Sequence, residues 1–200
     1  KRFQGALFDV DIGESKKFSI YATDKHSIKT FILQSDTGTG KSYECAQFLK
    51  YCVEKYHLNF LSIVSRRSLA YDHASETFSK DVGLTCKYYE DYEGVKITLD
   101  KKEGIAIQVD SILKMSQHNM RNFVVVIDEF NSLIEYVLTS DTLNDRRDII
   151  YKALKSIIKN AAFVVCCDAH LSDTTFKFIK QCRPLEMLSI KNKFQHNAGI

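Results

Sequence analysis

The sequence predicts an α/β domain: a mostly parallel central sheet with helices on both faces. Three observations carry that reading. Short apolar runs rich in β-branched and aromatic residues recur without the alternation of a half-exposed strand. Helical patterns lie between them. The resulting order of strand, helix, strand, helix is that of a layered fold whose strands are joined by crossovers.

Taken in order, the apolar runs at residues 31–34, 60–64, 105–109, 123–127, 163–167 and 187–190 read as buried strands. Residues 41–56 read as a helix, with Cys45, Leu49, Cys52, Val53 and Tyr56 at helical spacing. Residues 68–82 do the same through Ala70, Ala74, Phe78 and Val82. A strong apolar stripe, Ile149, Ile150, Ala153, Leu154, Ile157 and Ile158, marks a helix over 144–159. Ser172 is placed to cap a helix reaching Cys182, and Pro184 follows its end. Residues 1–30 give no clear pattern and are read as an N-terminal extension. Residues 87–102, with Tyr88, Tyr89 and the run from Val95 to Leu99, read as a hairpin insertion.

A chain of 200 residues suits one domain with a single core, 1–200. With one proline and eight glycines, no segment looks like a linker. No apolar run approaches the roughly 20 residues that cross a bilayer, so no membrane association is expected. The chain opens on Lys1 with no signal-peptide pattern, the expectation being a piece of a longer protein. A net charge of +3 permits a nucleic-acid partner without indicating one. Six cysteines, none in a C-x-x-C pair, and no histidine at zinc spacing argue against a zinc site. They read as buried thiols of a reducing intracellular compartment, nucleus or cytoplasm.

The chemistry concentrates in "SDTGTGKS", Ser35 to Ser42, between the first strand and the first clear helix. The phosphate-loop pattern is G-x-x-x-x-G-K-[ST]; Ser35 stands where its first glycine would be. Gly38 and Gly40 let the backbone turn its N–H groups inward, and Ser35, Thr37 and Thr39 complete the loop. The following helix offers its positive end to an anion. Lys41 supplies a full charge to the β- and γ-phosphates, and Ser42 a hydroxyl to Mg²⁺. The bland alternative is a glycine turn beside a surface lysine.

The run "FVVVIDEF", Phe123 to Phe130, bears on that choice. A buried strand ending in two carboxylates is costly unless something positive is near. At the carboxyl end of a parallel strand, Asp128 and Glu129 would face the crevice that holds the phosphate loop. Asp128 then ligates Mg²⁺, and Glu129 orients and deprotonates an attacking water. That water-activating carboxylate favours a hydrolase over a kinase. The absence of an N-K-x-D element leaves ATP favoured over GTP as the cofactor, with Mg²⁺.

In these motifs the chain resembles the RecA-like P-loop motor domains of superfamily 2 helicases. Their loop has the form A-x-x-G-x-G-K-[ST], and a D-E-x-x box, here "DEFN", follows on a later strand. More closely, it resembles the first motor domain of the herpesvirus origin-binding type of replicative helicase. "SIVSRRSLAYDHA", "IAIQVDSILKM" and "FVVCCDAHLSD" are similar to that family's motifs after the second, later and third-motif strands. The resemblance covers about residues 31–173. It implies an ATP-driven DNA helicase or translocase domain whose site is completed across a cleft by a second RecA-like domain. Ser65, Arg66, Arg67 and Ser111, with Lys114 a weaker candidate, would meet the phosphates of a single strand, most simply DNA. Asp168 and His170 would couple nucleotide state to strand binding.

Two other readings stay open. One is a different ATPase on the same scaffold, such as a viral DNA-packaging or remodelling motor. The other is a nucleotide-controlled binding module without turnover.

Overall fold

The computed structural model describes residues 10–12, 17–23, 25, 27–36 and 38–192. Eight strands among them form one sheet, β1 (Val10–Ile12), β2 (Thr30–Gln34), β3 (Asn59–Val64), β4 (Cys86–Tyr88), β5 (Gly104–Gln108), β6 (Phe123–Ile127), β7 (Phe163–Asp168) and β8 (Met187–Asn192). Their spatial order is β1-β8-β2-β7-β6-β3-β5-β4, and every pairing is parallel. Among the described residues there are six α-helices, α1 (Lys17–Thr23), α2 (Lys41–Tyr56), α3 (Arg67–Asp72), α4 (Phe130–Thr139), α5 (Arg147–Asn160) and α6 (Asp173–Cys182). The predicted α/β architecture is the one observed, and the six predicted strands match β2, β3 and β5 to β8 to within two residues at either end.

Alternation along each buried strand sends successive side chains to opposite faces. Phe31 and Leu33 of β2 join Val124, Val126, Val165 and Cys167 on the face covered by α1 and α2. Ile32, Val125, Ile127, Val164 and Cys166 point to the other face, covered by α4, α5 and α6. Both faces are therefore dry, which is why the strands read as unbroken apolar runs. On the α2 face the rings of Phe18, Phe31, Phe48 and Phe163 meet edge to face, Phe31 and Phe48 at 5.0 Å.

Three features depart from expectation. The segment predicted as a hairpin over 87–102 is not one. Its start is β4, paired parallel to β5, and the chain then turns through a 3₁₀ segment (Tyr89–Tyr92) and Gly94 at φ 73°. Tyr89 is buried, its hydroxyl on Gln108, and that anchoring takes the place of a returning strand. The helix predicted over 68–82 is α3 continued by a π-wound stretch, His73–Asp81. There the hydroxyl of Ser79 donates to the carbonyl of Ala74, and the wider turn brings residues five apart, His73 and Phe78, to 5.3 Å. Finally, α4, which starts directly after β6 with Glu129 as its N-cap, was not among the predicted helices. Gly104 opens β5 against β3, where a Cβ would stand 2.3 Å from the ring of Phe60; only glycine fits.

Candidate functional site

Register sets the site. Gln34 lies opposite Asp168, Ile127 opposite both Cys166 and Ile63, and Val64 opposite Gln108. The residues just past β2, β6, β7, β3 and β5 therefore emerge in one row along the carboxyl edge of the sheet, where parallel α/β folds place their ligands.

The loop from Ser35 to Gly40 leaves β2 and enters α2. Gly38 and Gly40 both hold positive φ, 79° and 80°, the region glycine occupies without cost. Gly40 is the N-cap of α2 and has no side chain to satisfy the first N–H groups of the helix, so these remain for an anion. A Cβ at Gly38 would meet nothing within 4 Å, so it is the positive φ and not crowding that favours glycine there. Ser35 is fully buried and does more than substitute for glycine. Asn192 of β8 donates to its Oγ at 2.9 Å, the Ser35 and Thr39 hydroxyls are bonded to each other, and Thr39 donates onward to the carbonyl of Asp36 at 2.7 Å. The Thr39 hydroxyl is thus committed to holding the loop. Thr37 lies outside the described residues. Lys41 is half-buried at the start of α2.

The acidic strand end meets this loop directly. Ser42 Oγ donates to Asp128 Oδ2 at 2.7 Å, joining the first turn of α2 to the end of β6. Asp128 is 4% exposed. Its Oδ1 accepts the Glu129 N–H at 2.9 Å and lies 3.3 Å from the Cys167 thiol. Oδ2 also lies 3.2 Å from Nε2 of the buried His73, close enough to pair electrostatically but misaligned for a hydrogen bond. His73 Nδ1 is in turn 2.8 Å from Ser62 Oγ on β3. Burial pushes the Asp128 carboxyl up, but His73, Ser42 and Cys167 outweigh it and hold the group below the usual carboxylate range. Hydrogen bonding to Cys45, together with burial, pushes the Cys167 thiol up, so it remains a neutral donor.

Glu129 sits in the left-handed region at φ 50°, ψ 48°, as the N-cap of α4. A glutamate in that conformation is strained, and such strain collects at functional positions. Its carboxylate is partly exposed and meets Arg66, whose Nη2 lies 3.0 and 3.2 Å from the two oxygens. Arg67 is ion-paired with Glu90. Both arginines assigned to a strand are therefore engaged with carboxylates here. Ser65 is buried, its carbonyl accepting from Gln108. Ser111 lies in a 3₁₀ segment (Val109–Met115) past β5, half-buried on the same edge, with Lys114 exposed.

Asp168 ends β7 and accepts from the backbone N–H of Asn131 at 2.8 Å and of His170 at 3.2 Å. It therefore caps the first turn of α4, next to Glu129. The ring of His170 is exposed and makes no hydrogen bond among the described residues. Two participants escaped sequence reasoning. Asn131, last of "DEFN", accepts from Ser172 and Thr175 at 3.2 and 3.1 Å and so ties α4 to α6. His73, part of "SLAYDHA", reaches Asp128 from 55 residues away only because α3 returns over β3. Neither contact has a local signature.

Magnesium takes few protein ligands and fills its sphere with phosphate oxygens and water. An ionised, buried Asp128 beside the Ser42 hydroxyl, below a loop of uncapped N–H groups, fits a magnesium nucleotide.

The chain is 21% identical over 156 residues to a protein named for a helicase/primase complex in African swine fever virus, covering 78% of this chain. It is 27% identical over 164 residues, 76% of this chain, to a mimivirus protein from Acanthamoeba polyphaga mimivirus, named helicase R8 and itself uncharacterised. It spans 14% of the length of each. Among solved structures the UvsW helicase of bacteriophage T4 superposes with a TM-score of 0.61 at 16% identity, over 96% of this chain and 64% of that one, a likeness of fold. Residues 16–197 match the family described as "Origin of replication binding protein", and the chain belongs to that family.

Proposed function

We propose that this chain is the ATP-binding and ATP-hydrolysing motor domain of a replicative DNA helicase or translocase. The observation that carries the proposal is the Ser42–Asp128 contact beneath the glycine loop, which joins the phosphate-binding end of α2 to an ionised carboxylate. The names of the viral relatives point the same way.

In this reading the N–H groups of the loop and of the first turn of α2 hold the triphosphate, and Lys41 places its ammonium on the β- and γ-phosphates. Ser42 and Asp128 would hold Mg²⁺, which neutralises charge on the phosphate oxygens when bound. Glu129 accepts a hydrogen bond from the attacking water. The water oxygen bonds to the γ-phosphorus, the bond to the β–γ bridging oxygen breaks, ADP leaves with that electron pair, and Glu129 takes the water's proton. Asp168, through the first turn of α4, links this strand end to β7; His170 has a weaker place in that link. Arg66, Arg67 and Ser111 lie along the same sheet edge and meet the phosphates of a single strand, DNA in a replicative setting, while the buried Ser65 supports that edge through its carbonyl bond to Gln108. A second RecA-like domain completes the site across the cleft. Six free cysteines, five of them buried, suit a reducing intracellular compartment, and no helix among the described residues is long and apolar enough to cross a membrane.

The test is Glu129→Gln in the full-length protein. Turnover should fall by about 10²–10⁴ while ATP still binds. Unchanged, measurable turnover would remove Glu129 as the water-activating base; no turnover in either form, with nucleotide binding intact, would leave a nucleotide-controlled module.

A further inference from the structure

Arg66 is assigned to the strand and Glu129 to the water, yet the two side chains hold each other. One nitrogen of the guanidinium, Nη2, spans both carboxylate oxygens at 3.0 and 3.2 Å. Arg66 stands in extended backbone as the N-cap of α3 and Glu129 in strained left-handed backbone as the N-cap of α4. Each is thus fixed at the start of a helix, and the pair bridges the ends of the adjacent strands β3 and β6. The side chains are 60% and 36% exposed, so the contact lies in water, where such a pair is weak and readily exchanged. A guanidinium carries five N–H donors in a fork that matches phosphate better than a single-nitrogen contact matches a carboxylate.

We infer that Arg66 is a clasp on Glu129, a positioning contact that a strand phosphate releases. The inference rests on the motor reading above and adds what that reading lacks, a physical link between strand binding and hydrolysis. Without a strand, both Glu129 oxygens face Arg66 rather than the attacking water. When a backbone phosphate takes the guanidinium, the carboxylate is free to turn into the nucleotide crevice and accept the proton. Linkage makes the effect reciprocal: whatever frees Arg66 from Glu129 strengthens the strand.

A double-mutant cycle on strand affinity tests this without requiring turnover. Dye-labelled oligothymidylate is titrated into the full-length protein, free of nucleotide, and its anisotropy read for wild type, Arg66→Ala, Glu129→Gln and the double variant. Arg66→Ala should weaken binding. Glu129→Gln should tighten it about two- to fivefold, and that gain should vanish when Arg66 is absent. Arg66→Lys should keep part of both effects. A gain that persists unchanged in the Arg66→Ala background, or no gain at all, overturns the clasp. So does an Arg66→Ala variant of unaltered strand affinity, which also strips Arg66 of its strand role. Turnover supplies a second arm: Arg66→Ala should hydrolyse ATP faster than wild type in the absence of strand and respond less when strand is added. Slower strand-free turnover in Arg66→Ala would mean that the contact aids Glu129 and would refute restraint. Loss of turnover in Glu129→Gln tests the motor reading separately, so the two ideas fail in different experiments.

Discussion

The two ends of this sheet each carry an arginine, and they are built on opposite principles. At the amino end Arg183 is 2% exposed. Its Nε donates to Thr30 Oγ1 at 2.7 Å, and Nη1 and Nη2 donate to the carbonyls of Ile158, Lys159, Ala161 and Ala162. No acid partners it among the described residues. The carbonyls at the end of α5 and of the turn after it, the negative end of that helix, stabilise the charge instead. At the carboxyl end Arg66 is mostly in water and meets one carboxylate. The first arrangement satisfies acceptors that would otherwise be buried and alone; the second is a contact that can change partners. A charge stabilises a fold when it is buried and fully bonded, and serves a site when it is exposed and exchangeable.

Substitutions at the amino end should show the larger stability effects. Arg183→Ala leaves several buried acceptors without a donor, and at 1–3 kcal/mol each, less relaxation, the loss should be about 3–5 kcal/mol. A urea unfolding midpoint close to wild type would break the comparison. Gly104→Ala, which drives a Cβ toward the Phe60 ring, should cost about 1–3 kcal/mol in the same assay. Ser35→Ala removes the hydroxyl that joins Asn192 to Thr39 and should cost about 1 kcal/mol, with weakened nucleotide binding as its sharper readout. Arg66→Ala should move the midpoint least, by less than about 1 kcal/mol, whatever it does to strand affinity. A loss there as large as that of Arg183→Ala would show that the exposed pair is a structural brace.

Much of this molecule is legible in its residues, and the parts that are not share a cause. Strands covered on both faces advertise themselves as apolar runs, and the phosphate loop and the carboxylate pair have local spacing rules. Helix α4 had a readable signal as well: Phe130, Leu133, Ile134 and Val137 follow helical spacing and are all buried. Only two residues separate its start from the end of β6, so the apolar strand and the helical stripe run together in the sequence. By contrast, β4 is only three residues long, and its partner is chosen by tertiary packing rather than by its own pattern. The contacts of Arg66 with Glu129, His73 with Asp128 and Arg183 with α5 join residues far apart in the chain. A single sequence carries no trace of them. Arg183 follows α6 with no motif around it, and Arg66 reads as a strand contact with no sign of its carboxylate partner.

The central claim is that Lys41, Ser42 and Asp128 form one magnesium nucleotide site. The most direct test is calorimetric titration of a non-hydrolysable ATP analogue into wild type and Asp128→Asn, each with and without Mg²⁺. The metal should tighten binding to wild type, and that gain should disappear in Asp128→Asn. An equal gain in both proteins would place the metal elsewhere and contradict the account.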